Sequence, residues 1–377
     1  MTSIYLDHQA TIPLHPKVRD VMLDCMKNIM GNPHSADHTY GWDAHEVVEN
    51  ARSQIADLIS CENAEIVFTS GATEANNTVI KSLISNNSTR KKIVVSAIEH
   101  KCVLEAAYAL ELHGYEVIKA RVTDDGSIDL NALEKILTQD VALVSIMSVN
   151  NEIGTIQPIK KIAKMARRHG ILFHSDAAQS PMHSNIDVDE LGVDFLSLSS
   201  HKMMGPKGIG CLYVSQQSNE FLRPLLSGGG QEDGRRSGTL APFLCAGFGE
   251  AAQILQTEGK ELRANIKKSR DLFWATLSSL AQNSVKVVGP PLTERHSGNL
   301  NVMFNHNAHD LLMKLQPHIA ASTGSACASG SIDPSHVLEA IGLERAEAEN
   351  CIRFSFGPSE SRQSIIDSAH FLSSQLI

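Results

Sequence analysis

Short apolar runs alternate with helical patterns through the N-terminal two thirds of the chain. The runs predict buried strands at residues 92–97, 141–149, 170–178, 193–200 and 210–215. Between the second and third of these, residues 158–170 place their apolar side chains on one face of a helix that ends at a glycine. The alternation predicts an α/β fold with a mostly parallel sheet covered by helices on both faces. In such folds the functional residues collect at the carboxyl ends of the strands.

The pattern changes after about residue 250. A long helical segment is predicted from about Ala251 to Asn283, followed by three strand-like runs, "VKVVGP", "GNLNVMF" and "CIRFSFG". We therefore predict two domains. The large α/β domain comprises residues 1–250, and its N-terminal segment contributes to the smaller domain. The smaller α+β domain comprises residues 251–377.

Composition and charge exclude several classes of protein. The 377 residues are 42% hydrophobic and 20% charged, and the net charge of −9 argues against a general nucleic-acid or membrane-surface binder. No run approaches the ~20 apolar residues that span a bilayer, and the N-terminus has no secretory pattern. The seven cysteines are scattered, without a C-x-x-C pair, as in a reducing compartment. We expect a cytoplasmic protein with no direct nucleic-acid or membrane partner.

One histidine pair has the spacing of metal ligands. His34 and His38 lie four residues apart, but no set of cysteines or carboxylates accompanies them. We therefore expect no metal site.

The segment "SLSSHKMMGPKGIG", residues 197–210, places Lys202 directly after an apolar strand. The ordinary interpretation is a loop lysine whose ammonium group reaches solvent, because lysine is rarely buried. The functional interpretation is a lysine that forms a Schiff base with a carbonyl compound, for which pyridoxal phosphate is the common partner.

A pyridoxal phosphate site requires further groups, and other predicted strand ends supply them. A carboxylate must pair with the ring nitrogen, and Asp176 in "HSDAAQS" is placed for this, with Gln179 three residues later. The phosphate requires a helix N-terminus, and "FTSGATEANN" supplies Ala72 and Thr73 at the start of a helix. A ring is required against the cofactor face, and "SAIEHK" supplies His100. Such a combination at successive strand ends is rare by chance.

Eight motifs extend this agreement along the chain: "GNPHSADHTYGW", "EIVFTSGATEANN", "EHKCVLEA", "SVNNEIGTIQPI", "HSDAAQS", "SSHKMMGPKGIG", "GGGQEDGRRSGT" and "STGSACASGSIDPSHVL". In order and spacing the sequence resembles the cysteine desulfurases of the housekeeping and nitrogen-fixation type, from about Tyr5 to Gly357. These are class-V aminotransferase-like enzymes of pyridoxal-phosphate fold type I. The resemblance implies that fold, with a large domain and a smaller C-terminal domain, and pyridoxal 5′-phosphate as cofactor.

The resemblance also implies a role for each matching residue. Lys202 would form the Schiff base, Asp176 would pair with the ring nitrogen, and Gln179 would contact the ring hydroxyl. His100 would stack on the ring and, with Lys202, move protons. The implied cofactor-binding residues are Lys202, Asp176, Gln179, Thr73, Ala72, Ser199, His201, Thr239, Asn151 and His100. Thr73, Ser199 and His201 would hold the phosphate, and Asn151 and Arg353 would receive the substrate carboxylate.

Cys327 lies in "STGSACASGS", a run of small and polar residues that offers little apolar area for a core. A free cysteine is usually a small buried hydrophobe, but this run favours an exposed loop. The resemblance makes Cys327 the residue that takes sulfur from L-cysteine as a persulfide, leaves L-alanine, and passes the sulfur to an acceptor protein. The other cysteines are interpreted as structural.

Partners follow from the resemblance as well. Thr239 in "RRSGT" would reach the phosphate of the neighbouring subunit, which implies a homodimer with shared active sites. Asp233 replaces the usual arginine, and His8 and Gln9 replace other small or polar residues. Housekeeping iron–sulfur members carry a C-terminal extension that this sequence lacks. We expect a sulfur donor for tRNA thiolation, DNA phosphorothioation or iron–sulfur assembly. The missing extension makes a dedicated donor for thiolation or phosphorothioation at least as good an expectation as an iron–sulfur role.

Two alternatives remain open at this point. One is another pyridoxal-phosphate enzyme of the same fold, such as a selenocysteine or cystine lyase or an aminotransferase, although a simple lyase needs no acceptor thiol. The other is a non-catalytic scaffold subunit, which would not need Lys202, Asp176, His100 and Cys327 together.

Overall fold

The computed structural model describes residues 3–86, 89–324 and 335–376. The strands are β1 (Ile4–Tyr5), β2 (Ile66–Thr69), β3 (Lys92–Ser96), β4 (Glu116–Ala120), β5 (Val141–Ser145), β6 (Leu172–Asp176), β7 (Phe195–Ser199), β8 (Gly210–Val214), β9 (Val285–Val287), β10 (Asn299–Phe304), β11 (Ile319–Ala320) and β12 (Cys351–Ser355). The α-helices are α1 (Pro16–Asn28), α2 (Thr39–Ile59), α3 (Ala72–Ser85), α4 (Lys101–Tyr108), α5 (Leu130–Ile136), α6 (Ile159–Arg168), α7 (Val188–Leu191), α8 (Pro242–Ala281), α9 (Ala308–Leu315), α10 (His336–Ala340), α11 (Arg345–Ala348) and α12 (Arg362–Ser374).

The largest element is a seven-stranded sheet with the order β2-β8-β7-β6-β5-β3-β4. The strands from β4 to β7 are parallel, while β8 pairs antiparallel with both β7 and the edge strand β2. Strands β5, β7 and β8 are buried throughout and β6 is buried after its first residue, as expected for a sheet covered on both faces. The prediction of an α/β fold with a mostly parallel sheet is confirmed.

Two predicted boundaries, the end of β5 and the start of α8, differ from the observed ones. In both places the residues are apolar because they are buried, and their pattern does not mark the limit of the strand or helix. Strand β5 ends at Ser145, although the apolar run continues to Val149. The extra residues are buried, and the amides of Ile146 and Ser148 still donate to the carbonyls of His174 and Asp176 on β6, although they lie beyond the end of the strand. Helix α8 begins at Pro242, before the predicted Ala251, because its first turns are buried on several sides and show no amphipathic period.

The C-terminal part of the chain forms two small sheets. One has the order β12-β10-β9, and the other pairs β1 with β11 in parallel. The pairing of Ile4 with Ile319 thus joins the start of the chain to its C-terminal part. Helix α8, of 40 residues, packs against α1, α2 and α12. The domain limits at residues 250 and 251 stay a prediction, because α8 runs across them without a break.

Within the described ranges, no helix is both long and apolar enough to cross a membrane.

One buried histidine joins three neighbouring strands of the large sheet. His174 on β6 is fully buried, with Nδ1 2.8 Å from Ser145 Oγ on β5 and Nε2 3.0 Å from Ser197 Oγ on β7. Burial lowers the pKa of His174 to about 4. The imidazole is therefore neutral in the folded protein at neutral pH, although both of its nitrogens have hydroxyl partners.

This pKa makes the stability depend on pH. An unfolded histidine titrates near ~6.5, so as the pH falls from there to about 4 the unfolded chain takes up a proton that folded His174 does not. Stability is retained above this window and lost as the pH falls through it. In urea titrations, His174→Gln should reduce the pH slope of the unfolding free energy by up to about 1.4 kcal/mol per pH unit. The exposed control His113→Gln should leave the slope unchanged, and an unchanged slope in His174→Gln would refute this account.

Candidate active site

A cavity of about 560 Å³ opens at the carboxyl ends of the parallel strands. Its lining includes the predicted residues Ala72, Thr73, His100, Asn151, Asp176, Gln179, Ser199, His201, Lys202 and Arg353. The volume lies in the range typical of small-ligand sites. The fold therefore brings together residues that are far apart in the sequence.

Asp176 ends β6 and is held by two donors. Its Oδ2 accepts from Asn76 Nδ2 at 2.7 Å, and its Oδ1 accepts from the Ala178 amide at 2.9 Å. Asn76 is fully buried on α3. Gln179 follows in a turn and donates from Nε2 to the Gln9 carbonyl at 3.0 Å. The carboxylate is thus fixed in orientation at the cavity wall, and Asn76 is a site residue that sequence reasoning missed.

Lys202 lies in a short 3₁₀ turn, Ser200–Lys202, directly after β7. Its Nζ donates to the carbonyls of Gln9 at 2.5 Å and Ala10 at 2.8 Å. These carbonyls belong to the N-terminal segment, which crosses the cavity from the small sheets. The ammonium group is therefore held inside the cavity by backbone acceptors, instead of extending along the surface to water.

The N-terminus of α3 forms another wall. Gly71, its N-cap residue, has φ +154°, a conformation that favours glycine, and supplies no side-chain cap. Strand β8 passes so close that a Cβ on Gly210 would lie 2.8 Å from the Gly71 Cα. Ser199 and His201 line the same part of the cavity. The free amides and the positive end of the helix dipole make this wall an anion-binding surface.

His201 is neutral in this environment. Burial, with the nearby charges of Lys202 and Lys207, lowers its pKa to about 4. Its Nδ1 lies 3.2 Å from Thr11 Oγ1. It can therefore contact an anion as a hydrogen-bond donor without first carrying a charge.

His100 caps the N-terminus of α4 with its own ring. Its Nδ1 accepts from the Cys102 amide at 3.2 Å, and the Cys102 Sγ lies 2.9 Å from the same nitrogen. Because Nδ1 is an acceptor, the proton of the neutral ring is on Nε2. Burial lowers the pKa of His100, and the charge of Lys202 adds to the effect while Asp176 opposes it. The ring is a neutral imidazole of defined tautomer.

From the sequence, Cys102 is interpreted as a structural cysteine, but the structure places it at the candidate site. It lines the cavity, and Asn76 Nδ2 donates to its Sγ at 3.2 Å. Burial and the charge of Asp176 raise the pKa of the thiol to about 12. It is a protonated thiol that links Asn76 to His100.

Glu99 lies behind the cavity wall and is fully buried. Its Oε1 accepts from the Met147 amide at 2.6 Å, and its Oε2 has no hydrogen-bond partner among the described residues. Burial raises the pKa of Glu99 well above its ordinary value, and the charge of Asp176 raises it further. Burial therefore favours the protonated form of Glu99.

Arg353 on β12 supplies a buried guanidinium group. Its Nη1 donates to the Asn151 carbonyl at 2.9 Å, and its Nη2 donates to Asp7 Oδ1 at 2.6 Å and Ser322 Oγ at 2.8 Å. Its Nε is buried and has no partner within the described part of the chain. The group is fixed by contacts with three separate segments of the chain, and one of its donors is left unpaired among the described residues.

Two predicted residues are not in this cavity. Thr239 is exposed and does not line it. Cys327 lies outside the described residues, although Gly324, at the end of the preceding segment, lines the cavity. In the parts of the chain that the structure describes, no group of three or more histidine, cysteine or acidic side chains could hold a metal ion.

Comparison with known proteins gives a consistent result. The chain matches the family model of class-V aminotransferases over residues 4–366. It is 47% identical to the mitochondrial cysteine desulfurase of Saccharomyces cerevisiae, over 96% of this chain and 72% of the yeast protein. A solved NifS-like protein, 31% identical, gives a TM-score of 0.92 over 99% of both chains. The structure of SspA in complex with cysteine, 37% identical, gives a TM-score of 0.82 over 95% of this chain and 99% of that one.

The role of Asn76 can be tested without any ligand. Asn76→Leu removes a buried donor to Asp176 and leaves that oxygen unpaired, so the free energy of unfolding should fall by about 1–3 kcal/mol. The matched control is Asn77→Leu on the same helix, where the lost bond to the Thr73 carbonyl is partly exposed, and a change within about 0.5 kcal/mol is expected. Equal losses in the two variants, measured by urea unfolding, would contradict this role.

Proposed function

The chain belongs to the class-V aminotransferase family and, within it, is a cysteine desulfurase, and on this premise we propose that it uses pyridoxal 5′-phosphate to move sulfur from L-cysteine to Cys327. The observation that carries the proposal is the convergence of Lys202, Asp176 and His100 on one cavity. These three residues stand at or just after the ends of three different strands. No single structural role would require all three of them in one cavity.

The cavity fits pyridoxal phosphate in the chemistry of its donors. Lys202 would bind the aldehyde carbon, Asp176 would hold the ring nitrogen, and Gln179 would lie at the ring hydroxyl. The phosphate would lie at the N-terminus of α3, held by Ala72, Thr73, Ser199 and His201. When bound there, the cofactor supplies an electron sink for the carbon that carries the substrate amine. The uncapped amides of α3 support this placement, because an anion would satisfy them.

Substrate binding is assigned to the guanidinium of Arg353. Its Nε is buried without a partner among the described residues, so a substrate carboxylate would satisfy a donor that is otherwise unpaired. Asn151 fixes the guanidinium through its backbone carbonyl. In this arrangement the carboxylate of L-cysteine lies on the Arg353 side of the cavity and the amine lies toward Lys202.

Proton transfer is assigned to Lys202 and His100. His100 carries its proton on Nε2, because Nδ1 accepts from the Cys102 amide. The ring can therefore donate from Nε2 when the substrate carbon or amine requires a proton. Lys202, held by two carbonyls of the N-terminal segment, would accept a proton once it has left the cofactor.

Cys327 is the proposed sulfur acceptor. Its thiolate would form a bond to the substrate sulfur as the carbon–sulfur bond breaks, and the three-carbon remainder would leave as L-alanine after protonation. The product is a persulfide on Cys327, and an acceptor protein would take its terminal sulfur.

The pathway is proposed as tRNA thiolation, DNA phosphorothioation or iron–sulfur assembly. A cytoplasmic homodimer completes the proposal, with exposed Thr239 reaching the neighbouring subunit's phosphate.

The assignment of Cys327 and Lys202 predicts two distinct failures. Cys327→Ser should retain the yellow colour of the cofactor-loaded protein and form no sulfide or alanine from L-cysteine, because the sulfur has no acceptor. Lys202→Ala should lose the colour after removal of free cofactor. Absorption spectra and product assays distinguish these outcomes, and Cys61→Ser is the control that should keep both colour and activity. Sulfide release by Cys327→Ser would indicate a simple lyase, and a colourless wild type after cofactor addition would favour a scaffold.

The protonation of the other cysteines predicts selective alkylation. Burial raises the pKa of Cys61, Cys102, Cys245 and Cys351 to about 12, and also raises those of Cys25 and Cys211. Iodoacetamide reacts with thiolates, so at pH 8 the native protein should be labelled first at Cys327. Peptide mass spectrometry after a short exposure measures this, with urea-unfolded protein as the control in which every cysteine reacts. Earlier labelling of any of the six would contradict the expectation.

A further inference from the structure

We propose that Arg236 is a positioning residue for the cofactor phosphate, acting through an ion pair with Glu74. The inference rests on the proposed function, because it concerns the phosphate of pyridoxal 5′-phosphate. Helix α3, whose N-terminus would receive that phosphate, carries the carboxylate of Glu74 in its first turn. The two negative groups would repel each other.

Glu74 is the third residue of α3. Its Oε2 accepts from the Ser70 amide at 2.8 Å, immediately before the helix. A carboxylate at a helix N-terminus is favourable by itself, but beside a phosphate it repels the second anion and occupies an amide that the anion could use. The site therefore requires that the Glu74 charge be compensated.

Arg236 supplies the compensation with two bonds. Its Nε lies 2.8 Å from Glu74 Oε1 and its Nη2 lies 3.2 Å from Oε2, a bidentate pair. The two side chains are 18% and 9% exposed, so solvent screens the pair only in part. Burial would raise the pKa of Glu74, but the bonds from Arg236 and Ser70 hold it below the ordinary value. Glu74 is thus ionised, and neutralisation comes from the arginine and not from a proton.

Buried hydrogen bonds hold the loop that carries Arg236. Buried Glu232 accepts from Arg52 Nη2 at 2.7 Å and from the Phe68 amide at 2.7 Å. Residues 232 and 233 both have positive φ, 52° and 56°, so the chain turns sharply just before Arg236. The loop therefore holds Arg236 at Glu74 without support from the cofactor.

The neighbouring arginine provides a matched control. Arg235 donates to the Ala64 carbonyl at 2.8 Å and lies 3.2 Å from Asp233 Oδ2, away from α3. It belongs to the same loop and has the same side chain, but its contacts do not involve Glu74. Of these two arginines, only Arg236 should influence an anion at the N-terminus of α3.

The experiment measures dissociation constants of pyridoxal phosphate from the apoprotein by absorbance titration. Arg236→Gln should weaken binding about tenfold or more, because the uncompensated Glu74 charge then lies in the first turn of the helix that would receive the phosphate. Arg236→Lys should recover part of the loss, and Glu74→Gln/Arg236→Gln should return to the wild-type value. Arg235→Gln should bind as wild type. Pyridoxal, which has no phosphate, should bind equally well to wild type and Arg236→Gln.

Several results would overturn the proposal. These are unchanged binding in Arg236→Gln, a double variant that stays weak, or an equal loss for pyridoxal, which would indicate a general distortion of the cavity. If Arg236→Gln does not fold, the double variant carries the test, because it leaves no unpaired charge and should bind as wild type. Failure of the wild type to bind pyridoxal phosphate would instead refute the proposed function.

Discussion

The site depends on satisfying the hydrogen bonds of one buried carboxyl group, Asp176, at the end of a central strand. Only 6% of Asp176 is exposed, and an unpaired carboxylate there would be costly. The Asn76 amide and the Ala178 backbone supply its hydrogen bonds. Burial raises the pKa of neighbouring Glu99 and lowers the pKa of His100, so both environments favour the uncharged form. The wall therefore presents a carboxyl group of fixed orientation to the cavity.

The N-terminal segment connects this wall to the C-terminal part of the chain. The Gln9 carbonyl accepts from Lys202 and Gln179, and its side-chain Oε1 accepts from Asn299 Nδ2 at 2.6 Å on β10. His8 lies 2.5 Å from Glu360, and both side chains are buried. Asp7 is 2.6 Å from Arg353. His8 and Gln9 are therefore buried connections between the N-terminal segment and the C-terminal part of the chain, and the Gln9 carbonyl also contacts the lysine.

Contacts within the protein orient the main side chains of the site. Asp176, Lys202, His100 and Arg353 each have partners in the protein that set their orientation, and most of these partners are backbone groups or buried amides. Preorganisation of this kind reduces the ordering required when a ligand arrives. The same logic applies to the anion wall, where the glycine at position 71 and the pairing of Glu74 leave the helix amides available.

The class of fold and the main chemical groups could be predicted from the sequence. Apolar runs that alternate with helical patterns indicate buried strands in a mostly parallel sheet, and Lys202, Asp176 and His100 stand at or just after the ends of such runs. Helix α8 was predicted to begin too late, since a helix buried on several sides has no amphipathic period. Only the tertiary structure decided that Asn76 and Cys102 join Asp176 to His100, and that Arg236 pairs with Glu74 across 162 positions of sequence. Such contacts depend on which helices and strands pack together, and the local pattern of apolar and polar residues does not specify that packing.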